Sequence, residues 1–434
     1  MSAPLVRNQL SAAGLLQAAR RVFGQIPAAP GNQIRLVDYL MSGLALFGLK
    51  YPSLLQFEHD RQEETTRANL QARYGVERAP GDTRFRERLE GLDPSALRPL
   101  YQTLFAELQR GKGLEGFAYL DDHYLLSIDG TGDFSSPAIH CAQCGEQHHR
   151  HGTTTYYHQM LGAVLVHPDG QEVFPLAPEP ILKPDGATKN DCERNAAKRL
   201  LTDLRREHPH LKLIVVEDAL AAHGPHLRHL QALDLRFILG AKPSDHTFLF
   251  AWVAASAHTT AASFSEENGC HHRFRYLNGV PLNNTHFDLE VNFLEYWEHA
   301  ADGGIIHWSW VTDIPVDNRN LMTLMRGARA RWKIENETFN TLKNQGYHGE
   351  HNFGHGHQYL STVLMHLMML AFLIDQIPQR CCRLFQAAWT AAKSKTRLWR
   401  KRRNRFDLCL IPSWEVLYRS LIQPPQIALV LDTT

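Results

Sequence analysis

The chain has 434 residues, 44% hydrophobic and 21% charged, a balance that belongs to a folded globular protein and excludes a disordered one. Its 46 Lys and Arg nearly cancel its 45 Asp and Glu, leaving a formal charge of +1. Overall charge therefore argues neither for nor against a nucleic-acid partner, and local patches have to decide.

The length predicts two or three domains. Met1 to Arg7 has no apolar core behind a basic start, so no signal peptide is expected. Seven cysteines, an odd number in a long chain, do not form a disulfide framework. The longest near-apolar run, Val363 to Ile374, is too short for a bilayer and predicts a buried helix. The expectation is a cytoplasmic protein without membrane contact.

Residues 1–120 read as helical. Leu10 to Val22 and Val37 to Phe57 carry apolar residues at helical spacing, and a helix pair is expected over Asp82 to Arg110, with Asp93 as cap between them. This region is either a module that binds DNA ends or an all-α domain that packs on the next one. From Tyr124 the pattern changes to strands at Tyr124–Ile128, Gln159–His167, Glu172–Pro178, Leu211–Glu217 and Phe237–Ala241, with helices over Asp191–Glu207 and His223–Leu233. That order predicts a ribonuclease-H-like mixed sheet, in which an acid on the first strand lies beside one at the end of the fourth. Residues 244–320 read as a mainly β insertion with a strand at Ile305–Val311. Helices follow over Leu321–Gly346 and Gln358–Gln376, then a basic C-terminal region from 376 with a Pro-rich end. The expected division is 1–120, 121–375 and 376–434.

Three carboxylates stand out. Asp129 ends the run Leu125-Leu-Ser-Ile and is followed by a Gly-Thr turn; Asp218 ends Leu213-Ile-Val-Val-Glu; Glu335 sits in Arg329-Ala-Arg-Trp-Lys-Ile-Glu. Two acids at strand ends and one on a helix suit two hard cations that stabilise the attacking and leaving oxygens of a phosphoryl transfer. Taken singly, Asp129 also reads as a turn residue, Asp218 as a solvated strand end and Glu335 as an exposed helical acid.

On Ser127-Ile-Asp-Gly-Thr, Val216-Glu-Asp218 and Arg331-Trp-Lys-Ile-Glu335 through Lys343, the chain resembles the DDE transposases of bacterial insertion sequences, in the group with a Y-x2-R-x3-E-x6-K signature. The likeness spans roughly residues 120–375. It implies a DNA transposase that cuts at transposon ends and joins them to target DNA. By the same resemblance Asp129, Asp218 and Glu335 are catalytic and hold two Mg²⁺ or Mn²⁺ ions, and Arg331 and Lys343 contact phosphates. Double-stranded DNA is the implied partner, a homodimer the implied synaptic assembly, and the bacterial nucleoid the implied location. A nuclease that does not join strands and an inactive domesticated DNA-binding protein are the alternatives.

Two positions depart from the signature. Ala328 fills the tyrosine slot, and seven residues rather than six separate Glu335 from Lys343. At about 100° per residue, Lys343 then sits roughly 80° round an α-helix from Glu335. Glu337 competes for the third acid, and Glu335 is preferred because Arg331 lies one turn away on its face.

Other clusters carry their own readings. Cys141-x2-Cys144 with His148 and His149 either holds Zn²⁺ or belongs to a His-rich loop. Glu193, opening the Asp191 helix, reads as a cap or as a support near the metals. Glu217 is expected to face away from Asp218. Tyr347 to His357, with four histidines among glycines, reads as a loop leaving the catalytic helix or as a metal cluster. Lys393 to Arg405 holds eight Lys or Arg in thirteen residues, and Lys401, Arg402 and Arg403 are its candidate phosphate contacts; the alternative is a solvated basic helix face.

Overall fold

The computed structural model describes residues 10–27, 33–183, 190–267 and 269–425. The start of the chain, most of the stretch leading into the Asp191 helix and the last nine residues, from 426, lie outside these residues. The chain folds into two compact units: residues 1–114, 132–158 and 340–434 form the first, and 115–131 with 159–339 the second.

The first unit opens with α1 (Ala12–Phe23), α2 (Leu36–Gly48), α3 (Leu54–Asp60), α4 (Glu64–Asn69), α5 (Asp82–Glu90) and α6 (Arg98–Arg110). Ser11 caps α1 by accepting from the Gly14 amide at 3.2 Å, which satisfies one of the amides a helix start leaves open. All thirteen residues of α2 are buried, so it has no solvent face and has to lie at the centre of its unit.

The second unit carries the sheet. In chain order the strands are β1 (Tyr124–Ser136), β2 (Gly145–His148), β3 (Thr154–Val166), β4 (Phe174–Pro175), β5 (Glu179–Ile181), β6 (Leu213–Glu217), β7 (Arg236–Gly240), β8 (Thr260–Ser265), β9 (His271–Pro281), β10 (Glu290–His299) and β11 (Ile305–Thr312). The unit boundary falls within β1 and β3, and β2 pairs with the part of β3 that belongs to the first unit. Within the second unit the strand order is β3-β1-β6-β7-β11-β10-β9-β8, with β4 and β5 both paired to β3. β6 runs parallel to β1 and to β7, and β11 closes antiparallel on β7. Leu213 to Val216 are buried throughout, as expected of a central parallel strand covered on both faces. The helices of this unit are α7 (Glu193–Glu207), α8 (Gly224–Ala232), α9 (Thr247–Ala255) and α10 (Leu321–Arg329).

The expected β insertion at 244–320 extends the sheet from its β7 edge as β11-β10-β9-β8, and it begins with a helix, α9, that the sequence reading did not include. The strand expected at Glu172–Pro178 shortens to β4, because Pro175 and Pro178 lack ladder donors.

The chain then returns to the first unit with α11 (Asn340–Asn344), α12 (Leu360–Cys381), α13 (Arg383–Ala392), α14 (Lys395–Leu408) and α15 (Trp414–Ile422). α12 is long and apolar enough to cross a membrane by length and composition, but 94% of that apolar window is buried in the protein. It packs on α2, α1, α5 and α6, which explains why the contact boundaries depart from 120 and 375: first and last segments of the chain share one core. The basic run of α14 also belongs to that core. Lys50 Nζ lies 2.5 Å from Asp375 Oδ2, Arg402 Nη1 lies 3.1 Å from Asp375 Oδ1, and the Tyr347 hydroxyl donates to Asp375 at 2.7 Å. Burial lowers Lys50 to about 7 despite Asp375, while Lys50 and Arg402 together overcome the burial that would raise Asp375 and hold it below the usual carboxylate range.

Candidate active site

β1 and β6 pair in parallel with Tyr124 opposite Leu213 and Ser127 opposite Val216. Partners differ by 89 residues, the interval that also separates Asp129 from Asp218. β1 runs on to Ser136, past the end expected at Ile128, so Asp129 lies midway along it; carried two residues past the last paired positions, the register sets Asp129 level with Asp218, just beyond the end of β6, on neighbouring backbones about 4.8 Å apart. Both line one cleft with Glu193, Glu217, His223 and His226.

The third acid arrives on a modified helix. The segment expected to be one helix over Leu321–Gly346 breaks after α10: the Arg331 amide bonds to the Ala328 carbonyl and the Ile334 amide to that of Arg331, both at three-residue spacing. Ile334–Phe339 then form a π turn. Such a turn takes up one more residue than an α turn and is most often seen at functional sites. The 100° step used to place Lys343 does not apply across it. Ser127 Oγ donates to the Arg331 carbonyl at 3.0 Å and ties the break to β1, while Ile334 and Phe339 lie against Gly162 in β3.

Arg331 joins two of the acids. Its Nη1 lies 2.8 Å from Glu335 Oε1 and 3.3 Å from Asp129 Oδ2, so the guanidinium bridges the strand acid and the helix acid. Glu337 is half-buried and makes neither contact, which separates it from Glu335 by geometry. Burial, partly offset by Arg331, together with the hydrogen bond and charge of Glu335, pushes Asp129 up to about 7.

Glu193, in the first turn of α7, brings a fourth carboxylate to the cleft. A Cβ on Gly130 would meet its Oε1 at 2.2 Å, so this carboxylate lies directly over Gly130, which continues β1 where the sequence predicts a Gly-Thr turn. Desolvation there, then the charges of Asp218 and Glu217, raises its proton affinity. Glu217 lines the same cleft rather than facing away from Asp218 as expected, and His226 Nε2 lies 2.6 Å from its Oε2 in a buried pair. The cleft thus gathers carboxylates with raised proton affinity, oxygen donors of the kind that hard divalent cations take.

The close approach of Gly130 to Glu193 makes a prediction. Gly130→Ala would displace a flexible carboxylate rather than backbone, so the melting temperature should change by no more than a few degrees. The displaced carboxylate should still lower the affinity of the cleft for added Mn²⁺ by about 10–100-fold, read by calorimetry. An Ala variant with wild-type Mn²⁺ affinity would show that Glu193 has no part in the site.

The remaining expected residues are dispersed. Lys343 is half-buried on α11 in the first unit. Arg402 is not a phosphate contact: it is buried in the ion pair with Asp375, and a guanidinium in the core cannot reach DNA. Arg403 donates to the Lys50 carbonyl at 2.6 Å, and Lys401 is half-buried on α14. His148 and His149 are exposed and bond to Thr154 Oγ1 at 3.0 Å and Thr155 Oγ1 at 2.8 Å, so the hairpin directs them away from the cysteines. Cys141 and Cys144 instead meet His158 and His355, with all four ligand atoms within 4.8 Å of one another. A Cys-x2-Cys pair is visible in sequence, but nothing local marks a histidine over 200 residues away as its partner.

No protein-family model matches the chain. No curated protein matches it either. Among solved structures it is similar to a piggyBac transposase in a synaptic complex with hairpin DNA, at 8% identity over 98% of this chain and 85% of that one. The TM-score is 0.40, too low for the likeness to bear on fold or function.

Proposed function

We propose that the chain is a DNA transposase whose second unit is a ribonuclease-H-like catalytic core. The observation that carries the reading is the β1–β6 register, which sets Asp129 level with Asp218, together with Arg331 linking Asp129 to Glu335. The strand order from β4 and β5 through β3, β1 and β6 to β7, with β1, β6 and β7 parallel, supports the core assignment.

In this reading Asp129, Asp218 and Glu335, with Glu193 beside them, hold two Mg²⁺ or Mn²⁺ ions. When bound, the ions supply Lewis-acid stabilisation of the oxygens that attack and leave at phosphorus. The middle of β1 and the end of β6 supply a rigid base for two of the acids, and the π turn sets the third. Arg331 holds Glu335 and Asp129 together until substrate arrives, and its planar fork then suits the phosphate beside the scissile bond. Lys343, Lys401 and Arg403 are further candidates for phosphate contact. No covalent link between protein and DNA is needed. Water is the nucleophile for the first cut, and the freed 3′-hydroxyl is the nucleophile for joining; each displaces one phosphodiester oxygen. A homodimer would hold two transposon ends together.

The test uses purified protein, DNA carrying the element's own ends, a target plasmid and Mg²⁺ or Mn²⁺. Metal-dependent nicking followed by joining is the expected result. Cleavage without joining would reduce the protein to a nuclease, and binding with neither would make it a DNA-binding protein that has kept the fold.

A further inference from the structure

We propose that Cys141, Cys144, His158 and His355 bind one structural Zn²⁺, a site separate from the carboxylates and independent of the transposase reading. All four residues belong to the first unit. Cys141 and Cys144 lie just ahead of β2, His158 follows the paired part of β3, and His355 comes from the loop before α12.

The distances suit a common tetrahedral ion. The two sulfurs are 3.7 Å apart. His158 Nε2 lies 3.4 Å from Cys141 Sγ and 3.3 Å from Cys144 Sγ, and His355 Nε2 lies 3.3 Å from Cys144 Sγ. With Zn–S near 2.3 Å and Zn–N near 2.05 Å, a tetrahedron requires about 3.8 Å between sulfurs and about 3.6 Å between sulfur and nitrogen. A disulfide would bring the sulfurs to about 2.05 Å, far shorter than the separation here. Two soft sulfurs and two imidazoles select Zn²⁺ over Mg²⁺, and Cys144, His158 and His355 are buried, as in closed structural sites.

The surroundings prepare His355 for this role. Its Nδ1–H donates to the Gly356 carbonyl at 2.7 Å, which leaves the Nε2 lone pair directed at the cysteines. Gly356 adopts φ +71°, and the amides of His357 and Gln358 both donate to Glu90 of α5, so the loop is fixed on the helical unit. Phe134 covers the site, its ring centroid 4.3 Å from that of His355. The ion would staple the hairpin of residues 132–158 to a loop 197 residues beyond His158.

The test begins with the metal content of the full-length protein, purified under reducing conditions after growth with zinc. About one Zn²⁺ per chain is expected. Co²⁺ replacement should give the absorption of a tetrahedral site with two thiolates. Cys144→Ser and His355→Ala should lose the ion, whereas His148→Ala and His149→Ala should keep it. Because a ligand deletion can unfold the hairpin, His355→Cys provides the second variant. It should retain the metal and raise the sulfur-to-cobalt charge-transfer band in proportion to three thiolates rather than two. Chelation of the wild type should lower its melting temperature, and Zn²⁺ but not Mg²⁺ should restore it. A folded protein that neither contains nor takes up Zn²⁺ overturns the proposal, as does an unchanged cobalt spectrum in His355→Cys.

Discussion

Asp129→Asn is expected to abolish metal-dependent nicking and joining, with a loss of at least about 10³-fold, since the electrostatic contribution of such ions is several kcal/mol and each 1.36 kcal/mol is a factor of ten. The same substitution should leave the metal-free protein as stable as the wild type or more so. Asp129 is pushed up to about 7, chiefly by burial and Glu335, so the folded state already favours a neutral group there. The sign follows from proton counts. Between the unfolded value near 3.8 and about 7, the folded wild type holds a proton that the unfolded chain has lost, and stability contributed by this group falls as pH rises. Metal-free wild type should therefore lose stability relative to the Asn variant across that window. Added Mg²⁺ should raise the wild-type melting temperature and leave the variant's unchanged. Thermal melts at pH 5 and pH 8, with and without Mg²⁺, read both effects. Equal Mg²⁺ shifts in the two proteins would remove Asp129 from the metal site.

Asp375→Ala should destabilise the first unit by about 3–5 kcal/mol, the usual cost of removing one partner from a buried ion pair. Asp375 faces two cations, and the substitution strands both. Lys50 can release its proton, having been lowered to about 7 by burial. Arg402 cannot, because guanidinium remains charged in proteins. The Tyr347 hydroxyl loses its acceptor as well. Against a typical total of roughly 5–15 kcal/mol, such a loss leaves the unit marginal. Hydrogen exchange of the α2 and α12 amides should accelerate by several hundred-fold or more, corresponding to those 3–5 kcal/mol. Asp375→Asn, which keeps an acceptor for Tyr347 but no charge, should fall between. Unchanged protection in the Ala variant would mean that water, rather than Asp375, compensates the two cations.

Much of the candidate site was legible because it is local or periodic. The apolar runs ending in Asp129 and Asp218 read as strands, and their equal spacing in sequence and in register reflects a parallel pair. The Arg331-x3-Glu335 spacing placed the two side chains one turn apart, and they do meet. What was not legible depends on contacts between distant residues. The basic run of α14 contains a buried arginine because its counter-ion lies on α12, inside an apolar helix. His355 looked like a loop histidine until the fold brought it to two cysteines more than 200 positions earlier. The π turn has no signature of its own, since the same residues satisfy four- or five-residue spacing. The α9 segment, Thr-Phe-Leu-Phe-Ala-Trp-Val-Ala-Ala, is almost wholly apolar and aromatic, so periodicity could not separate helix from strand.

The pairing of α2 with α12 sets an order of events during synthesis. Between Gly48 and Leu360 lie 311 residues, so α2 leaves the ribosome long before the helix it packs against exists. At typical elongation rates the delay is roughly 15–60 s. Residues 115–131 and 159–339 are complete by then and can fold first, while a largely apolar α2 and an uncompensated Lys50 wait. A message truncated before α12 would give a chain with an intact set of carboxylates and an exposed hydrophobic helix. Such a product is prone to aggregation and proteolysis, which ties the survival of the carboxylate-bearing unit to translation of the chain through α12.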